Sequence, residues 1–291
     1  MIKTILVPAS GDPSDAASFA AALTIARAFS AHIDVLHVRV DPIDAAIAMS
    51  SEPLGASVMA SLTDRIERDA AQREAAVKRV FDEFCEREKL ALLDAPVAGQ
   101  NASASAQWHV ETGDDAGTVA AFGRSADLVL VMRGVEHDIT NRSVLEAALL
   151  ETGRPLLIPS SAASPPASPM IGGTVAIAWK ATPEAARAVA AAMPFLARAT
   201  EIVVMTVDEG DGDGDVDRLV RHLAWHGLRA RSERLRSADE APADTLLAAA
   251  GKQAGLLVMG GYGHSRVREW VFGGFTQRAL EDAPLPVLLA H

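Results

Sequence analysis

The 291-residue chain is 49% hydrophobic and 22% charged, the balance of a globular protein with room for two cores rather than of a disordered one. A formal net charge of −11 and a sequence pI near 5.2, with dispersed basic residues, exclude a nucleic-acid partner. The single cysteine, Cys85, excludes an intrachain disulfide, and no apolar stretch approaches the roughly 18–20 residues of a membrane helix. With only a short apolar run before Pro8, the N-terminus lacks a signal-peptide core, so the expected location is cytoplasmic, with no membrane partner.

Ile2–Val7 is a β-branched run ended by Pro8, and Pro13–Phe29 follows as an Ala-rich helix with Asp12 at its cap. His32–Val38 predicts a second strand, Leu62–Leu90 a long helix, Gln107–Glu111 a third strand and Asp115–Arg124 a short helix. Asp127–Met132 (DLVLVM) is almost continuously apolar, as a central strand covered on both faces must be. A further helix and the strand Leu156–Ile158 close this half. Residues 160–173 (SSAASPPASPMIGG) lack periodicity and read as a linker.

The order then repeats. Val175–Ala178 is followed by a helix from Pro183 to Leu196, capped by Thr182. Glu201–Val207, Val216–His226, Arg229–Leu235 and Asp239–Gln253 alternate strand and helix. Leu256–Met259, a helix over Phe275–Asp282 and Val287–Leu289 complete the copy. Strict β–α alternation predicts two tandem doubly wound, Rossmann-like parallel-sheet domains of strand order 3-2-1-4-5, with ligands beyond the carboxyl ends of the strands. The expected division is 1–160, a linker at 161–173, and 174–291.

The chemistry concentrates after the fourth strand of the second copy, in Gly260-Gly-Tyr-Gly-His-Ser-Arg-Val-Arg-Glu-Trp-Val-Phe-Gly-Gly-Phe-Thr276. Gly260 and Gly263 flank a tight loop, and Gly273 and Gly274 open the next helix. Glycines let successive N–H groups form an anion-binding concavity, and the helix N-terminus adds further donors. His264, Ser265 and Arg266 stand where side chains supplement that cradle, so the expected ligand carries phosphate. The competing reading is that these glycines serve only a sharp turn.

The spacing Gly260-x2-Gly263-x9-Gly273 resembles the nucleotide loop of the universal stress protein family, G-x2-G-x9-G followed by Ser or Thr. The order of elements is similar over almost all of both halves. The family contains members that bind ATP and members that do not. In the binders, loop glycines and the following hydroxyl hold phosphates, while an acidic residue after strand one and backbone at the end of strand two contact the nucleoside. The resemblance therefore implies a stress-associated binding or regulatory protein, with ATP as the cofactor of the C-terminal half alone. Gly260, Gly263 and Gly273 match by position. Gly274 replaces the hydroxyl, Thr276 follows two residues later, and Trp179-Lys180 replaces the acidic position. Val207 stands at the end of strand two.

The first half departs further: Arg133–Ser143 has one glycine, and its first loop, Pro8-Ala-Ser10, lacks the acidic residue. This half is expected to bind no nucleotide. The resemblance also implies an intramolecular pseudo-dimer through Leu156–Ile158 and Val287–Leu289, with a homodimer left open. A slow ATP hydrolase is the rival reading. It is disfavoured because no general base or metal-binding carboxylate follows strand one. A scaffold that binds no nucleotide is the third.

Other motifs yield plainer readings. Ser10-Gly-Asp-Pro-Ser14 has part of the outline of a ligase pyrophosphatase loop but too few glycines, leaving a helix-capping turn. Asp211–Asp215 lacks the Gly and Glu of a calcium loop, since Val216 and His222 occupy those positions. His222 and His226 lie one helical turn apart without the glutamate of a zinc helix or a third ligand.

Overall fold

The computed structural model describes residues 1–49, 55–96, 103–133, 139–160, 166–207, 214–237, 241–261 and 274–291. It divides into two compact units, residues 2–152 and 153–291. Each is a mixed α/β layer structure built on a parallel sheet.

In the first unit the elements run β1 (Thr4–Pro8), α1 (Asp15–Phe29), β2 (His32–Arg39), α2 (Pro42–Met49), α3 (Ala56–Glu88), β3 (Ala91–Leu92), β4 (Ser105–Thr112), α4 (Asp115–Gly123), β5 (Leu128–Leu130) and α5 (Ile139–Leu150). The sheet order is β3-β4-β2-β1-β5, with neighbouring strands parallel. Ile5, Leu36, Leu128 and Leu130 are fully buried, as expected of strands covered on both faces. α3 spans 33 residues, but only Ala70, Val77, Phe81, Phe84 and Cys85 are buried, a narrow stripe seven or fewer residues apart. Phe19 of α1 meets Phe81 edge-on at 6.0 Å and Phe84 at 5.6 Å, and Phe81 packs 5.5 Å from Trp108 of β4. These aromatic pairs, each worth roughly 0.5–1.5 kcal/mol beyond area burial, fix the otherwise exposed α3 to the core. Beside them Cys85 is buried, and burial first, then the neighbouring Asp82 charge, push its thiol up to about 11.

The second unit contains β6 (Leu156–Ile158), β7 (Thr174–Ala178), α6 (Pro183–Leu196), β8 (Glu201–Val207), α7 (Gly214–Trp225), β9 (Ala230–Leu235), α8 (Pro242–Gly251), β10 (Leu256–Gly260), α9 (Gly274–Asp282) and β11 (Val287–Ala290). Its order is β9-β8-β7-β10-β11-β6. All of its neighbours are parallel except β6, which pairs antiparallel with β11 through Ile158↔Val287, Leu157↔Leu288 and Leu156↔Leu289. Because the unit boundary falls ahead of β6, the strand expected to close the first copy is bound into the second unit's sheet. There it covers what would be a long apolar edge along β11. The opposite edge, β9, carries charge instead: Arg231 bridges Glu201 at 2.7 Å and Glu233 at 2.8 Å.

Residues 168–169 of the expected linker are packed. The Ser168 hydroxyl accepts the Thr174 N–H at 2.8 Å, and a Cβ on Gly255 would meet the Ser168 and Pro169 carbonyls at 2.2 and 2.3 Å. Among the described residues no helix is long and apolar enough to cross a membrane.

Candidate functional site

At the carboxyl edge of the second unit's sheet, β7 lies between β8 and β10, with Ala178 opposite both Met205 and Met259. One residue further, Trp179 donates its backbone N–H to the Met205 carbonyl at 2.9 Å, which extends the ladder to the sheet rim. Lys180, Val207 and Gly260 therefore emerge on three adjacent strands at one edge, with Lys180 exposed and Val207 half-buried. Of the sequence-nominated residues, these three are brought together.

Gly260 has a packing reason of its own. A Cβ there would lie 2.5 Å from the Ala185 nitrogen and 2.8 Å from the Glu184 carbonyl carbon, so the first turn of α6 rests directly on the strand. That turn is capped by Thr182, whose hydroxyl accepts the Ala185 N–H at 3.3 Å, with Pro183 at the first helical position. Beyond Gly260, Gly261 donates to the Ala290 carbonyl at 2.8 Å, which fixes the departure of the chain from the sheet. Gly263, His264, Ser265 and Gly273 lie outside the described residues. Gly274 is exposed at the start of α9, and among the described residues nothing lies within 4 Å of a Cβ there, whereas Thr276 is 5% exposed. The indole Nε1 of Trp179 is buried without a hydrogen-bond partner among the described residues. An unmet donor of this kind costs roughly 1–3 kcal/mol until an acceptor reaches it.

The corresponding edge of the first unit is built differently. Between β1 and α1 the chain turns at Gly11, whose φ of +94° only glycine adopts readily. Asp15, 5% exposed, reaches back from the first turn of α1. Its carboxylate accepts the Ser10 N–H at 3.2 Å and the Gly11 N–H at 2.8 Å. Burial raises the Asp15 pKa above its ordinary value, against the lowering effect of the Gly11 and Ser10 amides. Ser14, at the N-cap position, makes no side-chain cap bond, so Asp15 does the work expected of the capping turn. The carboxylate that meets this loop comes from further along the chain, in the first turn of α1.

Asp12, Asp15 and Asp115 line a cleft of about 70 Å³ with Ser10, Val131 and Asn141. Asn141 donates its side-chain amide to the Met132 carbonyl at 3.1 Å. Under the loop, His37 is 3% exposed and contacts the Ala9 carbonyl at 2.8 Å through Nδ1, so that nitrogen carries the proton. Its ring stacks on Trp108 at 6.0 Å and 16°. Neither Asp15 nor His37 was nominated from sequence. Asp15 had a signal, an acid in the first helical turn after Gly11; His37 had none beyond its place in an apolar strand.

His222 and His226 stack edge-to-face with ring centroids 4.8 Å apart, and no group of metal-ligating side chains occurs among the described residues. Asp211–Asp213 lie outside those residues.

The universal stress protein family model matches residues 1–134. Among solved structures, a universal stress protein from Archaeoglobus fulgidus DSM 4304 matches with a TM-score of 0.63 at 16% identity, covering 99% of this chain and 95% of that one. A protein of unknown function from Pseudomonas aeruginosa PAO1 gives 0.56 at 15% identity, with 99% and 92% covered. The cytoplasmic domain of a prokaryotic cation chloride cotransporter gives 0.50 at 11%, with 100% and 96% covered. At such identities the likeness is one of fold. No curated protein matches the sequence.

Proposed function

We propose, from the match of residues 1–134 to the universal stress protein family model, that the chain is a stress-associated cytoplasmic binding or regulatory protein taking ATP in its second unit. The observation that carries this is the gathering of Lys180, Val207 and Gly260 on adjacent strand ends at the rim from which residues 262–273 depart. Sheet rims of this kind are where doubly wound folds take nucleotides. Lys180 offers positive charge to phosphate, and the buried Trp179 Nε1 offers a donor to an acceptor on the ligand. Gly263, His264, Ser265, Gly273, Gly274 and Thr276 complete the proposed cradle, with ATP held by backbone amides rather than by a family-type hydroxyl. The acid that follows β7, Glu184 in the first turn of α6, is engaged by Arg187 at 3.0 Å, which favours binding over turnover.

Isothermal titration of the full chain with ATP and Mg²⁺ tests it. Saturable heat at one site per chain, lost in Gly263→Ala and weakened in Lys180→Ala, is expected; no heat, or heat unchanged by both substitutions, overturns it. Steady ADP release that Gly263→Ala abolishes would instead establish the hydrolase.

A second reading places the ligand in the first unit, favoured by the family match over 1–134 and by the cleft at its sheet rim. Its roughly 70 Å³ is well below the ~300 Å³ where small-molecule pockets begin. Three carboxylates line it, and Asp15 already holds two loop amides. Two sites per chain in the same titration, one of them untouched by Gly263→Ala, would favour it.

A further inference from the structure

Away from both strand rims, a cavity of about 150 Å³ in the first unit lies among Leu6 of β1, Asp34 of β2, His109 of β4, Phe122 of α4, and Ser125 and Ala126 just beyond that helix. Strand register explains the assembly. Leu6 pairs with Asp34, Asp34 with Gln107 and Leu36 with His109, so Leu6, Asp34 and His109 share one face of the sheet.

The polar groups facing this space are spent in one direction. His109 Nε2 lies 2.9 Å from Asp34 Oδ1 and donates to it, which leaves Nδ1 of the neutral ring an acceptor. His32 brings Nε2 to 3.5 Å from the same Oδ1 and rests its Nδ1 on the Ser105 hydroxyl at 2.8 Å. Both histidines therefore address one carboxylate oxygen, and Oδ2 of Asp34 has no partner among the described residues. The Ser125 hydroxyl donates to the Phe122 carbonyl at 2.9 Å, so it too offers only lone pairs inward. Leu6 and Ala126 supply an apolar floor, and the Phe122 ring, edge-on to His109 at 5.7 Å, supplies an aromatic wall.

Acceptors without donors, one negative charge, an aromatic wall and a space of the size that admits a benzene ring define the occupant by exclusion. Anions and carbonyl compounds find no donor there. A compact cation rich in N–H groups finds a carboxylate oxygen, an imidazole nitrogen and a π-face. We propose that this cavity is a binding site for a small organic ammonium or amidinium ion, separate from the nucleotide rim and independent of it. Burial favours protonation of Asp34, but hydrogen bonds from His32 and His109 outweigh it and hold the carboxyl below its ordinary value, which keeps the charge in place at neutral pH.

Histidine ring resonances of the full chain report on the site directly. Acetamidinium chloride is expected to move the His109 signals saturably, with a dissociation constant on the order of 10 mM for a ligand of four heavy atoms. Tetramethylammonium chloride, which has no N–H, and sodium chloride at matched ionic strength are expected to leave them in place. Asp34→Asn is expected to weaken the response at least about tenfold, the loss of a charge-assisted contact. Ser125→Leu places a larger side chain at an exposed position on the cavity mouth, leaves the carboxylate untouched and is expected to block the response as well. Shifts that follow ionic strength alone, or that persist in Ser125→Leu, overturn the proposal. So does the absence of any shift in the wild type.

Discussion

The turn after β1 and the turn after β7 occupy equivalent places in their units and treat the same problem in opposite ways. Each leads from a central strand into a helix whose first N–H groups lack partners. In the first unit a buried carboxylate, Asp15, folds back and takes the Ser10 and Gly11 amides. In the second, Thr182 caps the helix with a neutral hydroxyl, and the acid of the first turn, Glu184, is half-buried and pairs with Arg187 at 3.0 Å. The first unit thus turns its carboxylate onto the loop amides, while the second spends its own on Arg187. A duplicated fold can divide its labour through two or three residues in one turn.

The heaviest blow to this contrast is Gly260→Ala. Its Cβ would meet backbone atoms at 2.5 and 2.8 Å rather than a flexible side chain, so α6 must shift off the strand. A loss of about 1–3 kcal/mol is expected from such overpacking, read as a lower midpoint in urea unfolding. A midpoint within error of wild type would mean that the close approach does not exist.

Asp15→Ala comes next, since it orphans two amides and leaves a small void; the expected cost is about 1–3 kcal/mol at neutral pH. Its pH dependence sharpens the point. The Asp15 pKa is raised by burial from the unfolded value of 3.8, so the group's titration favours the folded state fully below pH 3.8. That contribution is lost as pH rises through the folded pKa. Asp15→Asn should therefore flatten the stability profile in the window opening upward from pH 3.8. A profile parallel to wild type there would show that the carboxylate is not buried as described.

The smallest effect is expected of Thr182→Ala, about 1 kcal/mol from a lost N-cap. Ser14→Ala, at the matching position of α1, should cost less, because Ser14 makes no side-chain cap bond. Equal costs by thermal unfolding would erase the asymmetry between the two turns.

Much of this frame was legible in the chain. The runs Asp127–Met132 and Leu256–Met259 read as central strands because, Asp127 apart, only apolar side chains occur there. Even so, Asp127 stands outside β5 and takes the Lys3 and Thr4 amides with its carboxylate. Pro242 starts α8 three residues later than the Ala-rich pattern suggested, since a proline ring suits the first helical position. α2 went unread although Asp41-Pro42 carries a capping signature: Asp41 accepts the Ile43 and Asp44 N–H groups at 2.8 and 3.1 Å. The site was less legible, for a physical reason. A glycine after a strand answers equally to a ligand's approach and to a helix's approach, and Gly260 answers at least to the helix. Asp15 and Asp34 gain their character from burial and from partners distant in sequence, which no local pattern encodes.

Cys85 bears on which chemical signals this chain can relay. With its thiol pushed up to about 11 and buried on the inner face of α3, almost none of it is thiolate at neutral pH. Peroxides and electrophiles attack the thiolate, so the one sulfhydryl in the chain is chemically silent while the fold is intact. Oxidant signals therefore have no cysteine relay here.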